Sequence, residues 1–190
     1  MPRKWWQGWQ ARAAILLCLP TSLALVGPAV ADVAWTERAG AWSVTRYLGE
    51  RGDSWCGWTT TWTDPADGLG RSVSFQMRGD ESVLFLFVEG AVMGGLSAGS
   101  ELTLGIDQTR GIVEVDLVRQ LPNGFLMARG VLAADAADRD RLIALLSHAS
   151  SVELILPGRG VWPLKATGLA QTRPALRRCL ADMEARQPPR

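Results

Sequence analysis

Along most of this chain hydrophobic side chains recur at every second position, the period of a strand with one buried face. Trp42, Val44, Arg46 and Leu48 alternate with smaller or polar residues. From Ser54 to Thr63, Cys56, Trp58, Thr60 and Trp62 share one face, while Trp55, Thr59 and Thr61 share the other. Val73, Phe75 and Met77 alternate with Ser72, Ser74 and Gln76. Residues Val83 to Val88 are apolar on both faces, which predicts the most buried strand. Leu102, Leu104 and Ile106 alternate up to Asp107, and Val113, Val115 and Leu117 follow with Glu114 and Asp116 facing out. Turn-forming residues separate these runs at Arg51-Gly52-Asp53, Asp64 to Gly68, Gly79-Asp80 and Gly90 to Gly99. Pro122-Asn123-Gly124 predicts a tight turn that returns Phe125 to Arg129 antiparallel.

After residue 134 the period changes. Asp135 is placed to cap a helix, with Asp138 and Asp140 in the first turn and Leu142, Ile143, Leu145 and Leu146 forming its apolar stripe. Val152, Leu154 and Leu156 resume strand spacing. Val161, Trp162 and Leu164 make another short strand, which Pro163 marks as an edge. A last helix begins near Thr172 with Pro174 in its first turn. Leu176, Cys179, Leu180 and Met183 then fall at helical spacing, so Cys179 faces the core. About nine short strands and two helices, the second C-terminal, define an α+β domain of mainly antiparallel β structure, a sandwich or open barrel.

The first 31 residues do not fit that domain. Arg3, Lys4 and Arg12 precede a low-polarity run from Ala13 to Leu25, Gly27-Pro28 breaks it, and Ala29-Val30-Ala31 offers a small-x-small cleavage site. This is the layout of a signal peptide cleaved after Ala31. The run contains Pro20, Thr21 and Ser22 and falls short of the roughly 20 apolar residues of a membrane span. Cys18 follows Leu16-Leu17 rather than the small residue a lipoprotein signal requires, and the first 31 residues hold no paired-arginine signal. Residues 32–190 then form a single β-rich periplasmic domain, without a membrane span after cleavage.

Cleavage takes away three of the 20 basic residues and none of the 19 acidic ones, leaving a balance of −2. A near-neutral domain of mixed charge offers no electrostatic footprint for nucleic acid. Two cysteines remain, Cys56 and Cys179, and in an oxidising compartment they are expected to pair. Such a bridge ties an early strand to the last helix.

Candidate chemistry is sparse. Gly95-Leu96-Ser97-Ala98-Gly99 has the spacing of a hydrolase nucleophile elbow, and Ser97, Asp140 and His148 could be written as a triad. An elbow needs a strand turning into a helix, whereas the residues after Gly99 alternate like a strand. His148, the only histidine, sits where it can meet the last carbonyls of its helix. One histidine and two paired cysteines do not build a zinc site, so neither metal nor cofactor is expected. Arg51-Gly52-Asp53 matches an adhesion tripeptide but also reads as an ordinary turn. Asn123, the sole asparagine, is taken up by a turn, and no phosphate-cradling loop is present.

Tryptophan is the surplus. Trp35, Trp42, Trp55, Trp58, Trp62 and Trp162 survive cleavage, and Trp55, Trp58 and Trp62 crowd one strand. In a regular strand Trp55 cannot share a face with the other two, so at least one indole should lie outside the core. An indole flanked by Asp53, Thr59 and Thr61 could stack on a sugar or anchor a partner. The plainer reading packs all six against the helices or the cystine.

Residues Leu102 to Leu180 resemble small exported bacterial proteins of the invasion-associated locus B type. The resemblance rests on the alternating strand ending in Ile106-Asp107, the Asp135–His148 helix, two short strands, the junction Leu164 to Leu169 and an alanine-bearing last helix. It implies a periplasmic β-rich accessory protein and carries over no site residues. That family's cysteine pair before the middle helix is missing, since residues 119–134 hold no cysteine. The sequence therefore points to an exported, non-enzymatic accessory or binding protein whose partner is a protein or an envelope glycan. The alternatives are a serine hydrolase using Ser97 and a purely structural envelope protein.

Overall fold

A computed structural model describes residues 32–49, 54–78, 84–90, 95–133, 135–158 and 160–185. The signal-peptide reading of residues 1–31, Cys18 among them, and the Arg51-Gly52-Asp53 tripeptide lie outside the described residues. Ten strands form one antiparallel sheet that curls into a half-barrel. They are β1 (Asp32–Ala39), β2 (Trp42–Leu48), β3 (Ser54–Thr63), β4 (Gly70–Arg78), β5 (Leu84–Gly90), β6 (Glu101–Ile106), β7 (Thr109–Gln120), β8 (Leu126–Ala133), β9 (Val152–Leu156) and β10 (Gly160–Leu164). Helix α1 (Ala136–His148) precedes β9, and α2 (Leu169–Glu184) closes the chain. Spatial order is β1-β2-β3-β4-β5-β8-β7-β6-β9-β10.

This is the open barrel rather than the sandwich. The strand missing from the alternation is β1, most of whose residues are exposed. A strand with neither face buried carries no period-two signal. One inward contact is recovered by a register shift between Val33 and Trp35, which turns the Trp35 ring toward Arg178 of α2, 5.4 Å away. Strand β7 joins the two halves of the sheet. Its first residues pair with β6 and its last with β8, with a further register shift between Val115 and Leu117.

The face carrying Trp42, Val44, Cys56, Trp58, Phe75, Met77, Leu86 and Val88 packs under α2 and is fully buried. Cys56 and Cys179 are bonded, with α carbons 6.1 Å apart, inside the span a disulfide bridges. Further ties run from sheet to helix, among them an ion pair between Glu37 of β1 and Arg178 of α2. The Trp58 indole donates to Thr172 Oγ1 at 2.8 Å, and Arg46 Nη1 donates to Asp182 Oδ2 at 2.8 Å. Helix α2 starts at Leu169, earlier than the sequence predicts, because Gly168 caps it in the left-handed region (φ 107°) and Leu169 is buried. Pro174 therefore lies inside the helix; the carbonyl it cannot bond belongs to exposed Ala170. For α1, Asp135 is the N-cap and accepts from the Asp138 amide at 2.9 Å.

The two ends of the sheet approach each other where β10 runs toward the β1–β2 turn. The Ala41 amide donates to Thr167 O at 3.0 Å, and the Trp42 indole donates to Lys165 O at 2.6 Å. Gly40 and Gly168 permit this approach. A Cβ on Gly168 would sit 1.9 Å from Ala39 O, and one on Gly40 would sit 2.6 Å from Thr167 O.

Candidate functional site on the outer sheet face

Register pairing fixes which side chains share the face turned away from α2. Over β2, β3, β4, β5 and β8, one cross-strand row is Tyr47, Trp55 and Arg78, and the next is Thr45, Gly57, Gln76, Phe85 and Val131. The following row is Ser43, Thr59, Ser74, Phe87 and Arg129, and beyond it lie Thr61, Ser72, Glu89 and Met127. Neither helix covers this face. It is built of hydroxyls and half-buried aromatic rings.

Trp55 stacks on Tyr47 with ring centroids 5.1 Å apart and an interplanar angle of 16°. Gly57 makes room for that pair, since a Cβ there would approach the Tyr47 ring to 3.2 Å. Thr59 and Ser74 share a 2.8 Å hydrogen bond, and the Arg129 guanidinium lies 5.1 Å from the Phe85 ring while gripping Asp116 through two bonds of 3.0 and 2.6 Å.

At the far end of this face is a shallow groove of about 510 Å³, lined by Thr61, Thr63, Ser72, Glu89, Asn123 and Phe125, with Trp62 and Arg71 at its edge. The β7–β8 turn supplies one wall. Asn123 Oδ1 accepts from the Phe125 amide at 3.0 Å, and Phe125 leans over Gly70, where an added Cβ would meet its ring at 3.5 Å. Burial pushes the Glu89 carboxyl above the usual carboxylate range, with Arg119 pulling the other way. Its row neighbour Met127 is only 3% exposed although it lies outside the main core. The groove edge is stiff. Trp62 meets Trp162 edge-on at 5.7 Å, and Arg71 lies 4.6 Å from the Trp162 ring while held by Asp64 and Asp67.

The three sequence-selected tryptophans are not brought together. Trp58 is 0% exposed and bonded to Thr172, so it belongs to the core and presents no surface to a ligand. Trp62 borders the groove, and Trp55 lies on the outer face beside Tyr47. None of the six described tryptophans is fully exposed: Trp42, Trp58 and Trp162 are buried, and Trp35, Trp55 and Trp62 half-buried. Ser97 stands in a loop that leads into β6 rather than a helix, so no elbow forms there; its hydroxyl lies 3.4 Å from that of Ser100. His148 instead meets Arg173 at 3.3 Å, and Asp140 pairs with Arg139. Among the described residues no three His, Cys, Asp or Glu side chains converge as a metal site, and no helix is long and apolar enough to cross a membrane.

Glu89 and Phe125 were the residues the pattern concealed. A carboxylate ending the apolar run of β5 was the available signal for the first, and an aromatic directly after an Asn-Gly turn for the second.

No family model and no curated protein matches the sequence. The fold, by contrast, has a match among solved structures: a single curled antiparallel sheet closed by a C-terminal helix. The crystal structure of invasion associated protein B from Bartonella henselae matches with a TM-score of 0.52 and 16% identity, over 80% of this chain and 99% of that one. At that identity the likeness is one of fold.

Proposed function

We propose that this chain is an exported, non-catalytic binding protein of the bacterial cell envelope. Its leader is removed after Ala31, and its outer sheet face holds an envelope glycan in the groove between β3, β4, β5 and the β7–β8 turn. The observation that carries this reading is the groove's chemistry. Three hydroxyls, an amide and a partly desolvated carboxylate line the same groove as the Phe125 ring. Sugars present that same mixture, a ring face of C–H groups edged by hydroxyls, and are held by an aromatic face with hydrogen bonds around it. The Cys56–Cys179 bridge supports an oxidising compartment.

The test is titration of the purified protein with peptidoglycan fragments and lipopolysaccharide core oligosaccharides, followed by amide NMR shifts and indole fluorescence. Saturable shifts at Thr61, Ser72, Glu89 and Phe125 are expected, and Phe125→Ala should weaken binding by roughly threefold to tenfold. No saturable response to any of these glycans, with envelope crosslinking instead trapping a protein on the same face, would replace the glycan by a protein ligand.

A further inference from the structure

The outer face of the other half of the sheet has a different character. Register places Ile112, Thr103, Ile155 and Val161 in one row across β7, β6, β9 and β10. Ile112 is 69% exposed and Val161 51%. Single exposed apolar residues are ordinary. A row that places three aliphatic side chains across four adjacent strands, broken only by Thr103 on β6 and ending at the sheet edge, is not.

The charges flanking the row are asymmetric. On one side Glu114 and Glu101 are register neighbours. On the other side the row is Arg110, Gly105, Glu153 and Pro163. The Glu153 side chain crosses over Gly105, where any Cβ would meet it at 2.6 Å, and reaches Arg110 at 3.1 Å. Arg110 is thereby held at the β7 end of that flank, two residues from Ile112, with 67% of its side chain in solvent.

We infer that this face pairs with a second copy of the chain, sheet against sheet, about a two-fold axis running along the aliphatic row. Such an axis maps each side of the row onto the opposite side of the other copy. Ile112, Ile155 and Val161 then meet their own counterparts, and Glu114 of each copy faces Arg110 of the other. The Glu114–Arg110 pairing is self-complementary, as an isologous interface requires, while Glu101 faces the uncharged Gly105. Edge-to-edge extension through β10 is disfavoured, since exposed Pro163 has no amide to donate. A patch four strands wide, at about 4.8 Å per strand, is smaller than the roughly 800 Å² per partner of stable complexes, so association should fall in the micromolar range or weaker.

Sedimentation velocity of the purified protein from about 1 μM to 1 mM should show a reversible monomer–dimer equilibrium. Ile112→Asp and, separately, Val161→Asp should weaken it by about tenfold or more while leaving circular dichroism unchanged, because both residues are already in water. Arg110→Glu or Glu114→Arg alone should weaken it by roughly two- to fivefold, and the double exchange should restore it. A monomer at every concentration, or a dimer indifferent to Ile112→Asp and Val161→Asp, overturns the inference. A dimer dispersed by those changes but not restored by the charge exchange overturns the two-fold arrangement.

Discussion

The two halves of this sheet are stabilised in different ways. Under α2, strands β2 to β4 bury Trp42, Trp58, Phe75 and Met77, and specific bonds tie them to the helix: the disulfide, the Trp58–Thr172 hydrogen bond and the Arg46–Asp182 pair. Strands β6, β7 and β9 bury Leu102, Leu104, Ile106, Val113, Val152, Leu154 and Leu156, with Ile143 and Leu146 of α1 in the same core. Among the described residues, the charged pair between these strands, Arg110 with Glu153, lies in solvent rather than in the core. The outer faces differ in parallel, polar and aromatic on the first half, and on the second a row of aliphatic side chains between charged flanks. Directional bonds fix one geometry, whereas aliphatic packing tolerates adjustment. The first half is therefore the better place for a preorganised site, and it is where the groove lies.

The strongest way to break this comparison is to cut the disulfide. It closes a loop of 123 residues, worth up to roughly 5 kcal/mol by chain entropy and often less in practice. The double replacement Cys56→Ala with Cys179→Ala should lower stability by about 2–5 kcal/mol, read from chemical denaturation. Hydrogen exchange should show amides of α2 and β2 losing protection ahead of those in β6 and β9. Uniform loss across both halves would mean that the sheet is one cooperative unit and that the contrast is compositional only.

The buried pair between Arg46 and Asp182 gives a smaller and sharper test. Arg46 is 3% exposed; among the described residues its Nε and Nη2 have no hydrogen-bond partner and its acceptor is Asp182, whose side chain is 46% exposed. Asp182→Ala removes that acceptor and should cost about 1–3 kcal/mol, because the guanidinium is left buried without a counter-charge. Arg46→Met fills similar volume and removes the charge along with its two unbonded nitrogens. It should cost less than Asp182→Ala, or stabilise the protein. The reverse order in thermal unfolding would show that Arg46 has partners beyond Asp182.

Arg46 also marks how far sequence reasoning reached. Its place in the Trp42, Val44, Arg46, Leu48 alternation put it inward on pattern alone, and it is inward. Periodicity records the direction of a side chain but not its partners, so Asp182 could not be named. The same limit explains the rest. Nine strands were legible because each buries one face; β1 was not, because it buries almost nothing. The paired cysteines were legible by elimination, whereas the groove joins β3, β4, β5 and the β7–β8 turn, which only the register of a curled sheet brings together. Both faces of β5 are apolar, yet Phe85 and Phe87 are only half-buried, so an apolar pattern alone did not distinguish core from outer face.

The smallest expected effect tests whether the outer face of the first half is tuned for a ligand. Burial raises the Glu89 carboxyl above its ordinary value, so the native state holds its proton to higher pH than the unfolded chain does. Between those two values the folded protein binds more protons, and stability therefore falls as pH rises through the window. Below the ordinary glutamate range the carboxyl is protonated in both states and carries no such penalty. Glu89→Gln should accordingly stabilise the protein near neutral pH, with the gain shrinking to nothing in acid. The loss of a counter-charge for Arg119 keeps that gain small. If glycan binding weakens in the same variant, the carboxylate is retained for the ligand at a cost to the fold. If Glu89→Gln is no more stable than the wild type at neutral pH, the groove is more open to water than its lining implies, and the contrast between a preorganised half and an adjustable half loses its main support.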